Sequence, residues 1–114
     1  MKVSVRRMLV PALFLCLALG AAATPLSAHR VNVFAYVESG VIHTESYAQD
    51  GDAVKGGVIE VYDSAGRLVH RGETDGGGMH RFPVPARDDL TIVLDASMGH
   101  RATFTLEADE LGGT

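Results

Sequence analysis

Five histidines are the residues of this chain best suited to chemistry: His29, His43, His70, His80 and His100. Imidazole is the commonest transition-metal ligand in proteins and suits nickel, cobalt, copper and zinc. None of the five stands in a local ligand motif such as His-x-His or His-Glu-x-x-His, so spacing alone defines no site. His29 is distinctive by position, because it follows a stretch with the character of an export leader. A cut before it would place a free α-amine and an imidazole on one residue, two nitrogens able to chelate one ion. Met98, two residues before His100, adds a thioether, a soft ligand that prefers copper(I) to nickel(II).

Other chemistries have little to stand on. The one cysteine, Cys16, falls in the leader, so the rest of the chain offers no thiolate nucleophile, disulfide, or cysteine-based metal or iron–sulfur site. Gly-x-Ser-x-Gly and a Walker loop are absent. Gly76-Gly77-Gly78 looks like a phosphate cradle, but it joins two predicted strands, whereas a phosphate loop opens a helix. A histidine brace of the copper-oxygenase kind would need a broad substrate surface, which so short a domain with few aromatics hardly provides. The expectation is a protein without enzymatic activity.

The leader spans residues 1–28. Lys2, Arg6 and Arg7 form a positive start, Met8 to Leu19 is apolar apart from Pro11, and small residues follow. This is the pattern of a secretory signal peptide, hence of an exported, periplasmic product. Leu26-Ser27-Ala28 is an acceptable cleavage site that leaves His29 first. Ala21-Ala22-Ala23 fits the small-x-small rule as well, and a cut after Leu26 would leave a histidine in third place. An uncleaved anchor is the remaining alternative, although the apolar run falls short of the roughly 20 residues that span a bilayer comfortably. Leu13-Phe14-Leu15 before Cys16 makes no lipobox, and Arg6-Arg7 lies in a poor twin-arginine context.

Charge narrows the partners. Three of the ten basic residues and none of the fourteen acidic ones lie in the leader, so seven basic residues face fourteen acidic ones after it, a net charge of −7. Nucleic acid is excluded as a partner, since its affinity depends on Lys and Arg neutralising phosphates. The 86 residues after the leader support one domain with one small core. No later apolar run reaches membrane length, so contact with a membrane would be through the leader or a transporter.

The elements that must position these side chains are short strands. Arg30 to Val37 alternates with Val31, Val33, Ala35 and Val37 on one face. Val41 to Ala48, Gly57 to Tyr62, Arg67 to Thr74, Met79 to Val84, Leu90 to Asp95 and Arg101 to Leu106 follow. They are separated by turn signals such as Asp50-Gly51, Asp63-Ser64-Ala65-Gly66 and Asp75-Gly76. Seven close-set strands without an amphipathic helix predict an all-β, seven-stranded antiparallel sandwich over residues 29–107, preceded by the signal helix. Val33, Val61, Phe82, Ile92 and Phe104 are the expected core. Residues 108–114, acidic and glycine-ended, are expected to fray.

Two stretches carry a family resemblance. Val54 to Asp63, then Gly66, then Thr74-Asp75-Gly76-Gly77-Gly78-Met79-His80-Arg81-Phe82 resembles the carboxypeptidase regulatory-like, or prealbumin-like, domain. This implies a prealbumin-like or immunoglobulin-like Greek key and says little of activity. Ala28 to Val37 and Asp95-Ala96-Ser97-Met98-Gly99-His100-Arg101-Ala102 resemble the extracytoplasmic domain of small accessory proteins of bacterial nickel/cobalt uptake by energy-coupling-factor type transporters. That resemblance implies a nickel or cobalt ion, with copper the alternative, and membrane-embedded transporter subunits as partners. Some such proteins carry a second membrane segment after this domain, and Thr114 is reached here without one.

Topology ranks the histidines. In an up-and-down run of seven strands, the start of the first shares one end of the sandwich with the 2–3, 4–5 and 6–7 loops. That end would hold His29 and His100, with Met98 or His80 as a further ligand. His43 and His70 read as solvated strand residues, and His80 as a surface residue of its strand if it is not a ligand. Asp50, Asp52 and Asp75 read first as turn formers. The expected function is capture or presentation of the metal ion. A β-sandwich that binds protein or carbohydrate without metal, and a periplasmic copper carrier, are the alternatives.

Overall fold

The computed structural model describes residues 30–112; the leader and His29 lie outside the described residues. Seven strands follow one another: β1 (Val31–Glu38), β2 (Val41–Ala48), β3 (Val58–Tyr62), β4 (Leu68–Glu73), β5 (Met79–Pro83), β6 (Leu90–Asp95) and β7 (Arg101–Leu106). They form two antiparallel sheets, one of order β1-β2-β5 and one of order β4-β3-β6-β7. The all-β sandwich expected from the alternating pattern is thus present among the described residues, and its strands differ from the sequence reading only at their ends.

Side-chain alternation decides what faces the core. On the three-stranded sheet Val33, Ala35, Ile42, Thr44, Ser46 and Phe82 are buried; on the four-stranded sheet Ile59, Val61, Leu90, Ile92, Leu94 and Leu106 are. Each large aliphatic side chain removed from water contributes about 1.5–3 kcal/mol. Cross-strand rows run through these positions. Ala35 pairs with Thr44 and Thr44 with His80. Phe104 pairs with Ile92, Ile92 with Val61 and Val61 with His70. His70 and His80 therefore share the inward parity of the core residues.

Turn chemistry fixes the loops. Asp63 Oδ1 accepts from the backbone N–H of Ala65 at 3.0 Å and of Arg67 at 2.9 Å, while Oδ2 takes the Arg67 Nε–H at 2.9 Å. Asp75 Oδ1 accepts from Gly77 and Met79, both at 2.9 Å. Thr74 ties the 2–3 loop to the 4–5 loop: its buried Oγ1 accepts from Gly57 N–H at 2.8 Å and donates to the Val54 carbonyl at 2.6 Å.

Two expectations change. Phe104 is only partly buried; it packs on the core and meets Phe34 edge-on, with ring centroids 5.3 Å apart. The cause is the placement of β7 at the outer edge of its sheet, where no further strand of that sheet covers the ring and Phe34 of β1 meets it only edge-on. The tail does not fray at Glu107. Ala108–Leu111 forms a 3-10 turn that drops Leu111 into the core at 1% exposure. Arg87 Nη1 donates to the Gly112 carbonyl at 2.6 Å, and the Ala108 N–H reaches Asp89 Oδ1 at 2.7 Å.

Candidate functional site

The strands alternate in direction even though consecutive strands often lie in different sheets. One end of the sandwich accordingly gathers the start of β1 and the 2–3, 4–5 and 6–7 loops. His100 closes the 6–7 turn there. The Ala96 N–H donates to the His100 carbonyl at 2.8 Å, the His100 N–H donates to the Ser97 carbonyl at 3.0 Å, and Asp95 Oδ1 accepts from Ser97 N–H. Ser97, Met98 and Gly99 all take positive φ, at 73°, 53° and 80°. Left-handed backbone costs a non-glycine residue roughly 1–2 kcal/mol, so this turn holds strain at two positions.

Beside the turn runs a shallow cleft of about 340 Å³, lined by Arg30, Val31 and Asn32 on one side and by Gly99, His100, Arg101 and Ala102 on the other. His100 and the first residues of β1 thus share one depression. Met98 stands at the tip of the same turn, 91% exposed. His29, the residue joined to Arg30, lies outside the described residues.

His80 is placed differently. β5 is an outer strand of its sheet, on the far side from β1, and β4 is the outer strand of the other sheet, on the far side from β7. His80 thus belongs to the β4/β5 edge and His100 to the β1/β7 edge. The neighbour of His80 is His70: their Nε2 atoms are 3.0 Å apart, and both rings stack with Phe82. His70 and His80 are half-buried and face inward, which corrects their reading as solvated or surface positions. Burial first, and then the charge of His80, push His70 below the usual histidine range. Burial pushes His80 the same way, against the Asp75 carboxylate and a hydrogen bond to the Glu73 backbone.

A signal for this pair was present in the sequence. Asp75 is the turn former midway between them, five residues from each, so a reversal of the chain there sets positions 70 and 80 opposite one another. His43 sits on the outer face of β2, stacked on Tyr36 with centroids 5.0 Å apart and planes 7° apart.

The acidic tail makes one more cluster. Glu107, Asp109 and Glu110 bring exposed carboxylate oxygens within 4.8 Å of one another. Part of that convergence is turn chemistry, because a Glu110 carboxylate oxygen lies 3.4 Å from the Glu107 N–H as its acceptor. Asp50 and Asp75 act as turn formers as expected, with Asp50 Oδ1 accepting from the Asp52 N–H at 3.1 Å. No family model, curated protein or solved structure matches the chain.

Proposed function

We propose that this domain is a periplasmic, non-enzymatic accessory module of nickel or cobalt uptake, exported by its leader, that captures or presents the ion to membrane-embedded transporter subunits. The observation that carries the proposal is the cleft shared by His100 and the start of β1. Residue 29 is joined to Arg30 of that cleft, and in this reading its imidazole and, after cleavage at Ala28, its α-amine would complete the site with His100. Three nitrogens from two residues would suit nickel(II) or cobalt(II), with water completing the shell. The strained turn that presents His100 supports the same reading, since such strain gathers at functional sites. The finer fold we assign is the prealbumin-like Greek key, in keeping with three consecutive-strand connections that pass between sheets.

Calorimetric titration of the exported protein with nickel, cobalt and copper tests this. His29→Ala and His100→Ala should each remove one equivalent of nickel or cobalt binding, and His43→Ala should leave it unchanged. Binding should weaken as the solution is acidified, because ligating nitrogens must be unprotonated. Equal loss in all three variants would show nonspecific surface binding and end the proposal. Intact mass of the exported product decides the amino terminus; a start at Thr24 removes the chelate.

Two observations favour other readings. Met98, exposed beside His100, would serve a copper carrier; tight copper(I) binding lost in Met98→Ala would favour that role. Phe34 and Tyr36 form an exposed aromatic pair with centroids 6.2 Å apart, which would suit a β-sandwich that binds protein or carbohydrate without metal. Absence of measurable metal affinity at micromolar concentration would favour this last reading.

A further inference from the structure

The edge of the sandwich opposite His100 holds a second arrangement of nitrogen donors. His70 on β4 and His80 on β5 reach toward each other from different sheets until their Nε2 atoms are 3.0 Å apart. Their ring centroids are 5.2 Å apart and their planes 22° apart, so the rings meet by their Nε2 edges and not face to face. Phe82 holds the His70 ring from one side, with centroids 4.0 Å apart and planes 11° apart. The Thr44 hydroxyl donates to the His80 carbonyl at 3.0 Å and fixes that backbone. The space for the His80 ring exists because residue 72 is glycine: a Cβ there would fall on the ring's Nε2 and Cε1.

Two ring nitrogens 3.0 Å apart make a hydrogen bond in which one neutral ring donates and the other presents its lone pair, so one Nε2 is already unprotonated. Two nitrogens in adjacent positions around an ion with bonds of 2.0–2.1 Å are about 2.9–3.4 Å apart, which includes the spacing seen here. Burial lowers the proton affinity of both rings, which favours the unprotonated state that ligation needs. On its outer side His80 lines an open groove of about 480 Å³ with Glu45, Glu73, Asp75 and Arg81, and with His43 on the outer face of β2, giving an ion a route in and room for water.

We infer that His70 and His80 form a second site for a divalent transition ion, separate from His29 and His100, in which the ion bridges the two Nε2 atoms and joins the edges of the two sheets. On binding, whichever ring donates moves its proton from Nε2 to Nδ1 through solvent, both rings turn so that their lone pairs converge, and each stays neutral. Water fills the remaining positions. The ions suited are those that imidazole prefers, zinc(II), copper(II), nickel(II) and cobalt(II).

The test uses the exported protein carrying His29→Ala and His100→Ala, titrated with zinc chloride by calorimetry and by ring-nitrogen NMR. One equivalent should bind, and the Nε2 signals of His70 and His80 should move together. Further substitution of His70→Gln or His80→Gln should weaken binding by at least the ~10–100-fold that loss of an outer partner causes. Gly72→Ala, which displaces the His80 ring without removing a ligand, should weaken it as well, with circular dichroism checking that the sheets form. His43→Ala should change nothing. No zinc uptake in the His29→Ala/His100→Ala protein, or uptake indifferent to His70 and His80, would overturn the inference. Failure of the His29–His100 proposal would appear separately, as a metal stoichiometry in the unsubstituted protein that those two substitutions do not lower by one equivalent.

Discussion

Leu111→Ala measures whether the chain's last turn belongs to the core. Leu111 is 1% exposed on a 3-10 turn held by Arg87 and Asp89 contacts to its two ends. Truncation removes three carbons, which at ~0.8 kcal/mol for each buried methylene amounts to about 2.4 kcal/mol of transfer free energy. A residual cavity would raise this toward the upper part of the ~2–5 kcal/mol range for buried Leu→Ala. A short turn near the end of the domain can settle inward, so the expected loss is about 2–3 kcal/mol. That is a large share of the roughly 4–12 kcal/mol available to a domain of this size. Urea unfolding followed by far-ultraviolet circular dichroism reads it as a lower midpoint at unchanged slope. Asp109→Ala, two residues away and exposed, should stay within ~0.5 kcal/mol. A Leu111→Ala loss no larger than that of Asp109→Ala would refute the placement of the tail in the core.

Two further substitutions probe the loops. Gly78 has φ +77°, and a Cβ there would fall on the Ser46 carbonyl oxygen, whereas Gly66 at φ +79° has nothing within 4 Å. Both alanine variants carry the ~1–2 kcal/mol of left-handed strain, but only Gly78→Ala must also break the 2.8 Å bond from Ser46 N–H to the Gly78 carbonyl. Thermal melts should rank Gly78→Ala well below Gly66→Ala; equal melting temperatures would contradict the close approach. Asp63 is held below the usual carboxylate range, first by the Arg67 backbone N–H, then by the Arg67 side chain and the Ala65 N–H, against its burial. Its folded value is thus lower than its unfolded one, so its contribution is complete above about pH 4 and is lost as pH falls through the folded value. Asp63→Ala should flatten the acid limb of a stability–pH curve below pH 4, and an unchanged limb would remove Asp63 from that account.

Much of the fold is legible because alternation and turn chemistry agree. Val33, Ile92 and Leu106 keep period two, and Asp63, Asp75 and Asp95 accept the backbone N–H groups that their positions suggest. Grouping the loops by end is also legible, since it needs only strands that reverse direction each time. Sheet membership is not, because β4 and β5 flank a glycine turn that would serve a hairpin equally well, yet they go to different sheets. That choice is made by the apolar faces that Ile59, Ile92 and Phe82 must bury together, a property of the assembled domain. Leu111 gave no pattern because a single apolar residue among Asp109, Glu110 and Gly112 has no period. The His70–His80 contact was legible only in part: the turn at Asp75 sets the two positions opposite one another, but that both rings face inward shows only when the sheets are stacked.

The two edges of the sandwich are closed by different chemistry. At β1/β7 Phe34 meets Phe104, an apolar contact whose stabilisation needs no partner. At β4/β5 the corresponding position is taken by two imidazoles whose polar edges must satisfy one another. Replacing a buried polar pair by apolar groups of similar shape is often neutral or stabilising, because desolvation offsets most of what the pair contributes. If the histidines served only to close the edge, aliphatic residues would do so at least as well. The double variant His70→Leu/His80→Leu separates the two roles. Compared in a His29→Ala/His100→Ala background, its unfolding midpoint in chelator should equal or exceed that of the protein that keeps His70 and His80, while zinc should raise the midpoint of the latter only, by mass action on the folded state. A marked loss of stability in chelator would mean that the pair is structural, and an equal zinc response in both proteins would place the ion elsewhere.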